Sequence, residues 1–100
     1  MSSKHIKFYG ADWCADCHRS RFFLDQRGVM YEYINIDKDP SAAAEVEEIN
    51  RGMQSIPTIL FPNGEVLVEP SNEELKKALD ANKNLIIMHK DKMKAGDRNG

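Results

Sequence analysis

The chain has 100 residues, 41% of them hydrophobic and 30% charged, with a net charge of -2 at neutral pH. That length holds one core and not two, and a pI of about 5.9 leaves a nucleic acid no electrostatic footprint. The opening MSSKHIKFYG lacks the apolar stretch and small-residue cleavage site of a secretory signal, and no apolar run is long enough to span a bilayer. A cytoplasmic address is expected, where thiols stay reduced and closely spaced cysteines are more often catalytic or metal-binding than structural.

Taken in chain order, His5 to Tyr9 alternates as a short strand that Gly10 and Ala11 break. From Cys14 the pattern is helical as far as Arg27, and Gly28 supplies the left-handed stop. Tyr31 to Ile36 is aromatic and β-branched, a second strand. Strand, helix and strand at this spacing predict a parallel βαβ crossover.

Asp37 to Asp39 then forms a polar turn, and Pro40 and Ser41 open a helix with Ala42, Val46, Ile49 and Met53 on its apolar stripe, ending near Gly52. Thr58 to Phe61 and Glu65 to Val68 read as antiparallel strands, with Asn63-Gly64 between them as a type I′ hairpin dipeptide. Ser71 and Glu74 have capping-box spacing, so a last helix is expected from Asn72 to Ala81 with Leu75 and Leu79 inward. The chemistry-bearing domain is thus expected over residues 1–84. Residues 85–100 would be an extension: Leu85 to Met88 packs as one more turn or a short edge element, and the charged tail beyond Lys90 frays.

The stretch DWCADCHR, Asp12 to Arg19, can be parsed as C-x-x-C, a redox dithiol, or as C-x-x-C-H, the attachment signature of a c-type haem. A helix start leaves backbone amides unpaired and carries about half a positive charge. If Cys14 sits there, the amides of Asp16 and Cys17 face its sulfur, which lowers the thiol below the ordinary value of about 8.5. Cys14 is then the nucleophile. Cys17, three residues on and less accessible, is the resolving thiol. His18, four residues after Cys14, leans toward the sulfur and would favour a thiolate, whereas Asp12 and Asp16 are like charges that oppose it. Trp13, just before the dithiol, reads as the apolar lip that receives a partner. Arg19 and Arg21 read as a solvated helix face or as cations that steer anions.

Other uses of the cysteines compete with this reading. A zinc site needs four ligands, and only His5, His18, His89 and carboxylates remain after the two cysteines; no metal site is expected. Haem would need both thiols in thioether bonds and His18 with Met53 or Met88 as axial ligands. That chemistry belongs to exported, largely helical proteins, and this chain shows strands. A non-enzymatic carrier in which two chains share a cluster through Cys14 is a further alternative.

A C-x-x-C at the start of the first helix of a βαβ unit, Ser55-Ile56-Pro57-Thr58 some forty residues later, and a closing ββα unit resemble the thioredoxin superfamily. Trp13 before the first cysteine and the Pro62-Asn63-Gly64 and Pro70-Ser71 runs are similar to the glutaredoxin branch. Its mycoredoxins and the glutaredoxin-like electron donors of ribonucleotide reductase are the nearest groups. The resemblance covers residues 4 to 81. It implies an α/β thioredoxin fold of order βαβ-α-ββα, with a four-stranded mixed sheet flanked by helices, and thiol–disulfide oxidoreductase activity. It further implies a cis peptide before Pro57, with Ile56, Pro57 and Thr58 as the substrate-binding loop whose backbone pairs with an extended substrate segment.

No bound cofactor is implied. Electrons would come from NADPH through thioredoxin reductase or through a small thiol, and the partners would be disulfide-containing proteins met by a monomer. Glutathione-using members carry a Gly-Gly pair and an Asp at the last helix start, where this chain has Val68-Glu69-Pro70-Ser71-Asn72. Glu69 repels carboxylates and Pro70 removes an amide donor, so mycothiol is expected in preference to glutathione.

Overall fold

The computed structural model describes residues 5–88. Seven elements follow in the order β1 (Ile6–Gly10), α1 (Ala15–Gln26), β2 (Tyr31–Asn35), α2 (Pro40–Ile49), β3 (Thr58–Leu60), β4 (Val66–Val68) and α3 (Asn72–Ala81). The strands make one sheet, β2-β1-β3-β4. β1 is parallel to β2, with Phe8 opposite Tyr33, and antiparallel to β3, with Phe8 opposite Ile59; β3 and β4 are antiparallel. This is the expected βαβ-α-ββα order, with a mixed sheet.

Successive side chains of a strand face opposite ways, and β1 uses both faces. Ile6 and Phe8, fully buried, join Leu24 of α1, Ile59 of β3 and Leu75 of α3 in one cluster, while Tyr9 turns to the other side to meet Ile36, Ala42 and Val46. α1 and α3 therefore cover one face and α2 the other. Burying each of these large side chains is worth about 1.5–3 kcal/mol. Ile56, just ahead of β3, packs against both clusters, so the segment before the third strand is held from two sides.

Local chemistry sets the ends of the elements. α1 is capped by Cys14 and stops at Arg27, after which Gly28 takes φ +72, as the sequence predicts. Asp39 caps α2 through its side chain, with Pro40 in the first turn. That helix ends at Ile49, earlier than its apolar stripe suggests, because Arg51 and Gly52 take left-handed φ values of 59 and 99. Met53 is consequently thrown outward, 62% exposed, and does not belong to the helix. Ser71 and Glu74 form both halves of the capping box on α3, and Leu75 and Leu79 are buried.

The hairpin differs from a type I′ turn. Phe61 and Glu65 are bonded across a three-residue loop, the Gly64 amide returns to the Phe61 carbonyl, and Gly64 alone of the loop has positive φ, +94. A type I′ turn needs positive φ at both central residues. Pro62 in the loop fixes its own φ near -65°, so the chain makes a turn with negative φ at Pro62 and Asn63 and closes it with a left-handed glycine.

Leu85 and Ile86 donate to the Asn82 carbonyl at 2.7 and 3.0 Å, Met30 donates to Ile87 at 2.8 Å, and Met88 bridges antiparallel to Val29. The expectation for the tail beyond Lys90 lies outside the described residues. Asn82 is fully buried. Its Nδ2 donates to the Ala78 carbonyl at 2.7 Å and its Oδ1 accepts from the Asn63 amide at 3.0 Å, tying the end of α3 to the hairpin. Asn82→Ala is therefore expected to cost about 1–3 kcal/mol, read as a lowered urea midpoint at unchanged slope. A midpoint equal to wild type would show that these bonds are not needed.

Candidate functional site

Cys14 has the extended backbone of a helix cap, φ -86 and ψ 112, and its Sγ accepts the Cys17 amide at 3.1 Å. This is the position where Ser, Thr, Asp or Asn ordinarily stands, so the thiol sulfur replaces the usual capping oxygen. The bond expected from Cys17 is present, whereas none joins the Asp16 amide to the sulfur. Both cysteines are free thiols. Cys14 is 8% exposed and Cys17 1%, the order of access expected from their places in the first turn.

Gly10 creates the room for Cys17. A Cβ on Gly10 would lie 2.9 Å from Cys17 Sγ, 3.0 Å from the Phe8 ring and 3.3 Å from the Tyr33 ring. Only glycine lets the last residue of β1 come so close to the sulfur. Burial, followed by the bond with Cys14, pushes the Cys17 thiol up to about 12, against an opposing amide from Ala11. At neutral pH Cys17 keeps its proton.

Around this pair the loops are fastened by side chains distant in sequence. Trp13 is 72% exposed, yet its Nε1 donates to Asp37 Oδ2 at 2.7 Å, which fixes the indole beside the dithiol. Asp12 accepts the Tyr33 hydroxyl at 2.8 Å, and its carbonyl lies 2.6 Å from His18 Nε2. His18 thus directs its ring at the Asp12 backbone. Burial, with Asp12 next, pushes the Tyr33 hydroxyl up to about 12.

The two arginines are not merely solvated. Arg21 lies 3.8 Å over the Tyr33 ring and donates to the Tyr31 hydroxyl at 3.3 Å. Arg19 bonds Asp16 Oδ1 at 2.9 Å, the Pro70 carbonyl at 2.6 Å, Ser20 Oγ at 3.1 Å and the Asn72 side chain. Asp16 is therefore a paired carboxylate. The i,i+3 spacing of Asp16 and Arg19 was the available signal; nothing local pointed to Pro70 and Asn72, more than fifty positions away.

The Ile56–Pro57 peptide is cis. Thr58 is fully buried; its Oγ1 donates to the Ser55 carbonyl at 2.6 Å and accepts from Asn50 Nδ2 at 3.0 Å, so Asn50, which the sequence did not single out, sets this loop. The Pro57 carbonyl accepts the Glu69 amide at 2.8 Å, linking it to the turn before α3. Ile56 packs against the cluster that contains both cysteines. Among the described residues no three of His, Cys, Asp and Glu come together as metal ligands, and no helix is long and apolar enough to cross a membrane.

A helix capped by one cysteine, with a second buried behind it on a βαβ unit and a cis-proline ahead of the antiparallel strands, defines a thioredoxin-fold dithiol protein. The chain belongs to the glutaredoxin family, whose model matches residues 6–67. It is similar to a Mycobacterium tuberculosis protein named as a glutaredoxin, 30% identical over 79 residues, covering 79% of this chain and 94% of that one. It is also similar to the glutaredoxin-like protein NrdH of Escherichia coli, 29% identical over 55 residues, covering 55% of this chain and 65% of that one. Among solved structures, the glutaredoxin of Archaeoglobus fulgidus superimposes with a TM-score of 0.66 at 28% identity, covering 75% of this chain and 85% of that one. The protein is a thiol–disulfide oxidoreductase, one that exchanges electrons with disulfides and thiols. The C-x-x-C-H ambiguity is thereby decided in favour of the dithiol.

Three outcomes follow from this geometry. Gly10→Ala must displace Cys17 or its neighbours, at a cost of about 1–3 kcal/mol, and should slow disulfide turnover; wild-type turnover would show that the Cys17 sulfur tolerates the shift. Alkylation below pH 9 should leave Cys17 unmodified, as mass spectrometry of the labelled peptides would show. Because the folded state holds the Cys17 proton more tightly than an ordinary thiol does, and those of Tyr9 and Tyr33 more tightly than an ordinary phenol, with all three pushed up to about 12, their stabilisation is complete below about pH 8. It should drain away as pH rises toward 12, seen as falling denaturant midpoints of the reduced protein.

Proposed function

We propose that this protein reduces protein disulfides, or mixed disulfides between proteins and small thiols, with Cys14 as nucleophile and Cys17 as resolving thiol. The observation that carries the reading is the Cys17 amide on Cys14 Sγ at 3.1 Å, because it sets that sulfur at the start of the helix with the second, more deeply buried thiol directly behind it, the order in which a nucleophile and a resolving thiol must act. Cys14 thiolate attacks one sulfur of the target disulfide, forming a mixed disulfide and expelling the other sulfur as thiolate. Cys17, giving up its proton, then attacks Cys14 Sγ; the Cys14–Cys17 disulfide forms and the target leaves fully reduced. The buried, high-lying Cys17 thiol supports this order, since it is held in reserve until the mixed disulfide exists.

Trp13 serves as the apolar lip, while Ile56, Pro57 and Thr58 form the substrate cradle. Support comes from the Asp37 bond that fixes the exposed indole and from the Ile56 backbone, which carries no hydrogen bond among the described residues and can pair with an extended peptide. Asp16 and His18 act as modulators. The protein works as a cytoplasmic monomer, with no bound cofactor and with electrons from NADPH by way of thioredoxin reductase or a small thiol.

Mycothiol suits the site better than glutathione. The self-satisfied capping box at the start of α3 and the Glu69 carboxylate leave little to hold a carboxylate.

The experiment is NADPH consumption with a disulfide substrate, supplied either with thioredoxin reductase alone or with a small-thiol recycling system. Cys14→Ser should abolish turnover, and Cys17→Ser should retain part of the activity on mixed disulfides while losing that on protein disulfides. Full activity in Cys14→Ser would overturn the assignment.

A further inference from the structure

Between the start of α1, where Asp16 stands between the two cysteines, and the turn before α3 lies a groove whose walls include Asp16, Arg19, Glu69, Ser71, Asn72 and Glu74. Arg19 is the one cation among them, and every nitrogen of its guanidinium is engaged inside the protein. Nε donates to Asp16, Nη2 to Ser20 Oγ and the Pro70 carbonyl, and Nη1 to Asn72. The helix start opposite is equally self-contained, with Ser71 Oγ taking the Glu74 amide at 3.1 Å and Glu74 Oε1 taking the Ser71 amide at 2.8 Å. Glu69, exposed and held at φ 49 by its bond to Pro57, adds a carboxylate with no cation bound to it among the described residues. An arriving molecule meets negative charge and few free donors.

We propose that the Asp16–Arg19 pair selects the reducing thiol by charge. With Arg19 committed to Asp16, Pro70 and Asn72, the groove turns away thiols that carry carboxylates and accepts thiols that carry none. This rests on the reading above that a small thiol can reduce the Cys14–Cys17 disulfide. In that reaction one thiolate attacks Cys14 Sγ and Cys17 leaves as a thiolate that takes up a proton. A second thiolate then attacks the small-thiol sulfur of the mixed disulfide, releasing Cys14 as thiolate and the two small thiols as their own disulfide. Only the approach of the thiol is selected; the electron count is the same for every thiol.

Glutathione and its diethyl ester present the same thiol with and without carboxylates, which makes them the natural probes. Oxidised protein would be mixed with each at equal thiolate concentration and low salt, and the appearance of free Cys14 and Cys17 followed by acid quench, unfolding in denaturant, alkylation and mass spectrometry. The ester should reduce wild type roughly fivefold faster or more, and the ratio should approach one at high salt, as exposed charges are screened. Asp16→Asn removes the carboxylate that holds Arg19 and should narrow the ratio by about threefold, while adding Arg19→Gln should cancel that narrowing.

Equal wild-type rates for the two probes would overturn the proposal, as would Asp16→Asn accelerating both alike, which would make Asp16 only a brake on the dithiol. Should neither probe reduce the wild-type disulfide while thioredoxin reductase does, the small-thiol route falls and this proposal with it. The dithiol assignment would then stand.

Discussion

The bond from the Cys17 amide to Cys14 Sγ is the contact on which the site depends, because it makes one cysteine the cap of the helix that contains the other. A sulfur in this position answers the need of the helix for an acceptor and places the thiol where the partial positive charge of the helix is greatest. The cap of the helix and one thiol of the pair are the same atom. The central strand β1 delivers that helix start, and its last residue, Gly10, leaves room for the second sulfur. Fold and chemistry meet where β1 passes into α1.

The rest of the rim is built by tethering loops that are far apart in sequence. Asp37 holds Trp13, Asn50 holds Thr58, Pro57 receives Glu69, and Arg19 reaches from α1 to Pro70 and Asn72. Each bond joins a segment beside the dithiol to one across the sheet end, so the rim is held by side-chain bonds as well as by the backbone. The charged members of this set also compensate one another. Asp16 between the two cysteines would be an isolated carboxylate without Arg19, and without Asp16 the Arg19 guanidinium would lose its counter-charge and the acceptor of its Nε while keeping its bonds to Ser20, Pro70 and Asn72.

Much of this was legible because the relevant signals are local. The Cys14 and Cys17 spacing, the Gly28 stop, the Ser71 and Glu74 capping box and the alternation in β1 each depend on residues within one or two turns of each other. Propensity and capping rules reach over that range. Where local rules conflicted, reading them singly misled: Asn63-Gly64 alone suggests a type I′ turn, but Pro62 before it dictates another backbone path. Likewise Met53 continued the apolar spacing of α2, yet the left-handed Arg51 and Gly52 had already ended the helix.

By itself the sequence determined the order of elements, the mixed sheet, the C-x-x-C pair at the start of the first helix and the proline ahead of β3, since periodicity, caps and motif spacing are all short-range. The tertiary structure alone decided that Arg19 is spent on Pro70 and Asn72, that Asp37 and Asn50 support the rim, and that Gly10 is shaped by Cys17. Those contacts bring together residues separated by seven to more than fifty positions. Which of many possible polar partners an exposed side chain finds is fixed only when the packed core has set the distances between the loops.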